Sequence, residues 1–127
     1  MKIKLSSVMV DDQEKARDFY TRVLGFEIKM DVPMGNFNWL TVVSPNARDE
    51  AELLLEPTNF PPSRTFQNEL YMAGIAARGF FVDDVQAEYE RLLELGVEFR
   101  HEPVQMGPAT VATFDDTCGN WIEIYHL

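Results

Sequence analysis

The sequence predicts an α+β fold built from paired βαβββ modules, with a curved mixed sheet around a cleft and the helices outside. Three observations carry that expectation. Val10-Asp11-Asp12 opens a helical pattern that closes at Leu24-Gly25-Phe26. Val82-Asp83-Asp84 opens a second that closes at Leu95-Gly96-Val97. Each helix is preceded by one apolar, strand-like run and followed by three more. A unit of this size cannot bury its own apolar face, so two copies should pair and enclose a cleft whose lining decides function.

In chain order, Ile3 to Val10 reads as a strand. Alternation puts Leu5, Ser7 and Met9 on one face and Val8 and Val10 on the other. Asp11 or Asp12 is a suitable N-cap, and Ala16, Phe19, Tyr20, Val23 and Leu24 recur at helical spacing to form one apolar stripe. Gly25 supplies the left-handed residue that ends the helix. Strands follow at about Phe26 to Met30, Phe37 to Val43 and Ala51 to Glu56, broken by Pro33-Met34-Gly35-Asn36 and Ser44-Pro45-Asn46. The second copy repeats the order. Ile75 to Val82 is a strand, and Asp83 to Leu95 a helix with Val85, Tyr89, Leu92 and Leu93 on its apolar side. Strands then lie near Glu98 to His101, Thr110 to Phe114 and Trp121 to Tyr125. A single domain over 1–127 is expected, made of a module at 1–57, a linker at 58–73 and a module at 74–127. Within the linker, Ser63 is expected to cap a short helix carrying Phe66 and Leu70.

Composition narrows the function. The 127 residues suit one compact domain, and 46% hydrophobic content is ample for a core. Eleven Lys and Arg against 21 Asp and Glu give a net charge of -10, which argues against nucleic acid or an anionic membrane as partner. The single cysteine, Cys118, excludes an internal disulfide and suits a reducing compartment. Met1-Lys2-Ile3-Lys4 leads into a short alternating run and not a long apolar stretch, so a cytoplasmic location is expected. No nucleophilic triad and no glycine-rich phosphate loop is visible.

Val10-Asp11-Asp12 through Phe19-Tyr20, Val23-Leu24-Gly25-Phe26, Phe81-Val82-Asp83-Asp84 and Gly119-Asn120-Trp121-Ile122-Glu123-Ile124 together resemble the vicinal oxygen chelate superfamily. That group includes glyoxalase I, extradiol dioxygenases and bleomycin-resistance proteins. The resemblance covers essentially the whole chain. It implies the glyoxalase/bleomycin-resistance fold, a homodimer and, in metal-using members, a divalent metal held by His or Glu. One His would lie seven residues before the Asp that starts each helix, which here gives Leu5 and Ala77. A Glu four residues after the turn glycine gives Glu123, and Glu52 is the closer match in the fourth strand. Both histidine positions therefore hold side chains that cannot bind a metal. The chain's two histidines, His101 and His126, are no natural substitutes. His101 follows the strand after the second helix, and alternation sends His126 to the face opposite Glu123.

Strand parity then assigns the cleft lining: Leu5, Ser7 and Met9; Phe37 and Trp39, or Asn38 and Leu40, depending on register; Glu52; Ala77, Gly79 and Phe81; Trp121, Glu123 and Tyr125. These describe an aromatic cup with small floor residues and one or two carboxylates, suited to a flat or partly apolar molecule bearing a positive or hydrogen-bonding group. A carboxylate in such a cup must find a partner or change its pKa, which makes Glu123 the candidate catalytic residue as well. Three functions stay open. The first is a metal-free protein that binds a small aromatic or cationic molecule for sequestration or resistance, with no cofactor. The second is a metal-dependent glyoxalase-type lyase, isomerase or dioxygenase using Glu52 and Glu123. The third is metal-free acid–base chemistry by Glu123. A small-molecule ligand and a second copy of the chain are the expected partners, with no nucleic acid and no membrane.

Overall fold

The computed structural model describes residues 1–127. The chain divides into two compact units, Met1–Thr65 and Phe66–Leu127. No helix is long and apolar enough to cross a membrane.

The first unit carries β1 (Leu5–Val10), a helix α1 (Gln13–Asp18) continued by wider π-helical turns over Phe19–Val23, β2 (Glu27–Met34), β3 (Phe37–Val43) and β4 (Glu52–Pro57). Its strands form one mixed sheet in the order β1-β4-β3-β2, with β1 and β4 parallel. Asp12, not Asp11, is the N-cap: its carboxylate accepts from the Lys15 N–H at 3.0 Å. Asp11 pairs instead with the Lys15 ammonium at 3.3 Å. Leu24 N–H donates to the Phe19 carbonyl at 3.0 Å, the five-residue span that widens the last turns. Gly25, at φ +89°, ends the helix as expected. Val8, Val10, Ala16, Tyr20, Leu40 and Leu55 are at most 1% exposed and form the layer between helix and sheet.

The second unit carries β5 (Ala76–Phe81), α3 (Val85–Glu94), β6 (Phe99–Met106), β7 (Ala109–Asp115) and β8 (Trp121–His126), in the sheet order β5-β8-β7-β6. Asp84 caps α3 by accepting from the Ala87 N–H at 3.0 Å. Val85, Leu92, Ala112, Phe114, Ile122 and Ile124 fill its core. A helix α2 (Pro61–Ala73) occupies most of the expected linker.

Four sequence expectations need correction. Strand β2 runs on through Pro33-Met34, and β6 runs through Glu102 to Met106, where turns or loops were expected. Both are edge strands, so a proline there removes no ladder bond that the sheet needs, and Pro103 falls inside a bulge between His101 and Val104. Helix α2 starts at Pro61, before Ser63. Its buried residue is Gln67, whereas Phe66 is 61% exposed. The Gln67 amide donates to the Cys118 carbonyl at 3.0 Å and to Asn120 Oδ1 at 3.2 Å, and so pins the loop before β8.

The two units differ at one point that the repeat hides. In the first, β3 and β4 pair only over Thr41–Val43, and Gln13 fills the gap beyond. Its amide donates to the carbonyls of Asn38 and Leu55 at 2.8 and 2.9 Å and accepts from the Asn38 N–H at 3.0 Å. In the second unit the residue after the cap is Val85, and β7 pairs with β8 continuously from Thr110 to Asp115.

Candidate functional site

Alternation and burial assign the faces of each sheet. Ile122 and Ile124 of β8 are 0% and 3% exposed under the helix, which leaves Trp121, Glu123 and Tyr125 on the second face. The β5–β8 register sets Gly79 opposite Glu123 and Phe81 opposite Tyr125. Four candidates, Gly79, Phe81, Glu123 and Tyr125, are therefore brought together. The Phe81 and Tyr125 rings meet edge to face at 5.9 Å. An added Cβ at Gly79 would lie 3.5 Å from Tyr125 Cδ1, an ordinary contact distance, so that ring lies close over the strand.

Two candidates of this unit are drawn elsewhere. Ala77 is the extra residue of a bulge between Ala76 and Arg78, which breaks the parity that placed it beside Gly79. Trp121 is committed to the unit's own packing. Its ring stacks on Tyr71 at 4.9 Å, its indole N–H donates to the Tyr71 carbonyl at 3.1 Å, and the Arg100 guanidinium lies over it at 5.4 Å. The Tyr71 hydroxyl donates to Asp115 Oδ2 at 2.7 Å, and the adjacent carboxylate pushes the phenol up to about 12. Sequence periodicity could not find this stack, because Tyr71 comes from α2 and is 50 residues from Trp121.

In the first unit, Leu5 faces Glu52, Ser7 faces Leu54 and Met9 faces Glu56 across the β1–β4 ladder, with Trp39 on the same face of β3. Leu5 is 47% exposed. Glu52 has partners inside the chain. Thr41 Oγ1 donates to its Oε1 at 2.9 Å, and the Lys29 ammonium lies 3.5 Å from Oε2. Lys29 reaches it because a bulge between Ile28 and Met30 turns that residue out of the alternation.

Glu123 differs from Glu52 in this respect. It is half-buried, opposite Thr113 on one side and Gly79 on the other, and its carboxylate has no hydrogen-bond or ion-pair partner in the chain. Thr113 is 5% exposed and meets His101 Nε2 at 3.2 Å. His101 thus belongs to the interior of β6 and to the row that holds Glu123, a correction to the expectation that it lies apart. The error came from the early end assigned to β6. His126 pairs with Thr110, its Nδ1 lies 2.8 Å from the Val82 carbonyl, and its ring lies 5.1 Å from that of Phe81.

The register also settles which fourth-strand residue matches Glu123. Glu123 pairs with Gly79 and Thr113; the residue that pairs with Ser7 and Thr41 in the first unit is Leu54, not Glu52. The positions that the resemblance marks for metal ligands are then Leu5 and Leu54 in the first unit and Ala77 and Glu123 in the second, and only Glu123 carries a donor. In neither unit do three or more His, Cys, Asp or Glu side chains gather where they could hold a metal ion. This donor set does not fit a zinc, nickel or iron centre.

Comparison with known proteins agrees with this architecture. The family model "Glyoxalase/Bleomycin resistance protein/Dioxygenase superfamily" matches residues 2–124. The uncharacterized protein YurT of Bacillus subtilis is 52% identical over 124 residues, covering 98% of each chain. A lactoylglutathione lyase of Pseudomonas aeruginosa is 30% identical over 135 residues, covering 91% of this chain and 76% of that one. Among solved structures, TnmS3, an antibiotic binding protein from Streptomyces sp. CB03234, superposes with a TM-score of 0.77 at 32% identity, over 98% of this chain and 93% of that one. The chain belongs to the glyoxalase/bleomycin resistance protein/dioxygenase superfamily.

Proposed function

We propose that this protein binds a small aromatic or cationic molecule without a metal, in the manner of a sequestering or resistance protein. The observation that carries the proposal is Glu123, a half-buried carboxylate with no partner in the chain, set beside Phe81 and Tyr125. A carboxylate held against apolar surface is stabilised by a cation that brings its own hydrogen bonds. Aromatic rings add contact area and attract positive charge. The likeness to TnmS3, an antibiotic binding protein, supports the same reading. A lyase like the Pseudomonas relative would need donors that the matching positions lack. In this reading the protein works in the cytoplasm as a homodimer, for which light scattering should give twice the chain mass. The test is a panel of cationic aromatics, followed by thermal denaturation. Saturable, ligand-dependent stabilisation is expected, and absence of any shift across the panel contradicts the proposal.

A further inference from the structure

His101 Nδ1 lies 2.8 Å from the Glu102 carbonyl oxygen, and Nε2 lies 3.2 Å from Thr113 Oγ1. A carbonyl can only accept, so Nδ1 carries the proton. In the neutral ring Nε2 can then only accept, and the Thr113 hydroxyl donates to it. The Thr113 oxygen is left with lone pairs alone. Thr113 faces Glu123 across the β7–β8 ladder, where opposed side chains start about 5 Å apart. Beyond Glu123 lies Gly79, which has no side chain to donate from. The row therefore offers two adjacent acceptors and no donor.

The first unit shows what happens without the histidine. Thr41 occupies the place of Thr113, and the residue paired with it, in the place of His101, is Met30. Thr41 is free to donate to a carboxylate, and does so to Glu52 at 2.9 Å. One threonine donates to a glutamate diagonal to it; the hydroxyl hydrogen of the other is taken by His101.

We propose, resting on the binding role given above to Glu123, that His101 is a specificity-determining residue. By holding the Thr113 hydroxyl hydrogen it keeps Thr113 and Glu123 a donor-free pair. That pair selects cations with two adjacent N–H donors, an amidinium or guanidinium, over quaternary ammonium ions of equal charge. The planar, fork-like cation places one N–H on each acceptor, whereas a quaternary ammonium has none to place.

Calorimetric titration of the full chain with benzamidine and with benzyltrimethylammonium tests this, in the wild type and in the His101→Met and Thr113→Val variants. The wild type should bind benzamidine about a hundredfold more tightly, the difference made by two charge-assisted hydrogen bonds. His101→Met copies the first unit, and Thr113→Val is close to isosteric, so a folding defect in one leaves the other to decide. Both should lower the benzamidine preference about tenfold, the share of the bond to Thr113, and leave the share of the bond to Glu123. Equal wild-type affinities overturn the specificity role and leave the binding role standing, as does a preference that is undiminished in both variants. Binding of neither probe overturns both.

Discussion

Replacing Glu123 with Leu should stabilise the protein and abolish binding of cationic aromatics. Glu123 lies in β8 between Ile122 and Ile124, which are 0% and 3% exposed, and holds no partner in the chain. Its counterpart in the first unit is Leu54, 7% exposed on the equivalent sheet position. The substitution removes a half-buried carboxylate without a partner and adds apolar surface to a site that the fold already fills with Leu in its other copy. Full burial of a leucine is worth about 1.5–3 kcal/mol, so this half-buried position should gain about 1 kcal/mol. In a domain of this size that raises Tm by about 3–6 °C. Glu52→Leu should do the opposite. It strips the Thr41 hydroxyl and the Lys29 ammonium of their shared acceptor, at a cost of about 1–2 kcal/mol. Thermal denaturation of both variants, with and without benzamidine, reads the stabilities and the binding together. A fall in Tm for Glu123→Leu, or a variant that still binds benzamidine with wild-type affinity, refutes the reasoning.

Other outcomes follow from the same geometry. Gln13→Leu should cost about 2–4 kcal/mol in urea denaturation, because it orphans one N–H and two carbonyls where β3 and β4 separate. Fast hydrogen exchange at the Asn38 amide should accompany it. Gly79→Ala should leave the fold intact or stabilise it by about 0.4–1 kcal/mol, since its φ is not positive and an added Cβ meets Tyr125 at ordinary contact distance. The same methyl group narrows the floor beside Glu123 and should weaken benzamidine binding. Tyr71 should ionise above the ordinary tyrosine range in an ultraviolet absorbance titration, because its pKa is raised to about 12 by the hydrogen bond to Asp115. The stability this bond contributes is complete below the ordinary tyrosine value of about 10 and is lost as pH rises from there toward 12. Tyr71→Phe should delete that late phase.

The fold was legible because the repeat obeys simple periodicities. Val8, Val10, Ile122 and Ile124 alternate with polar or larger residues, and the helix of each repeat begins at an aspartate and ends at a glycine, so element order followed directly. The site was legible where alternation held without interruption, as for Gly79, Phe81, Glu123 and Tyr125. It failed at bulges, which hydropathy does not record. Bulges moved Ala77 out of register and swung Lys29 onto Glu52, and another let β6 continue past His101 through Pro103. The fate of Trp121 depended on Tyr71 and Arg100, side chains distant in sequence that carry no pattern pointing to it. Leu54 became visible as the match to Glu123 only once both ladders could be compared residue by residue.

The most direct test of a metal-free centre at Glu123 is the affinity for benzamidine measured calorimetrically after exhaustive chelation, and again after adding back zinc, nickel or iron. Equal affinities with and without metal, both lost in Glu123→Gln, are the predicted result. Binding that appears only when a metal is restored, at one ion per chain, would contradict the account.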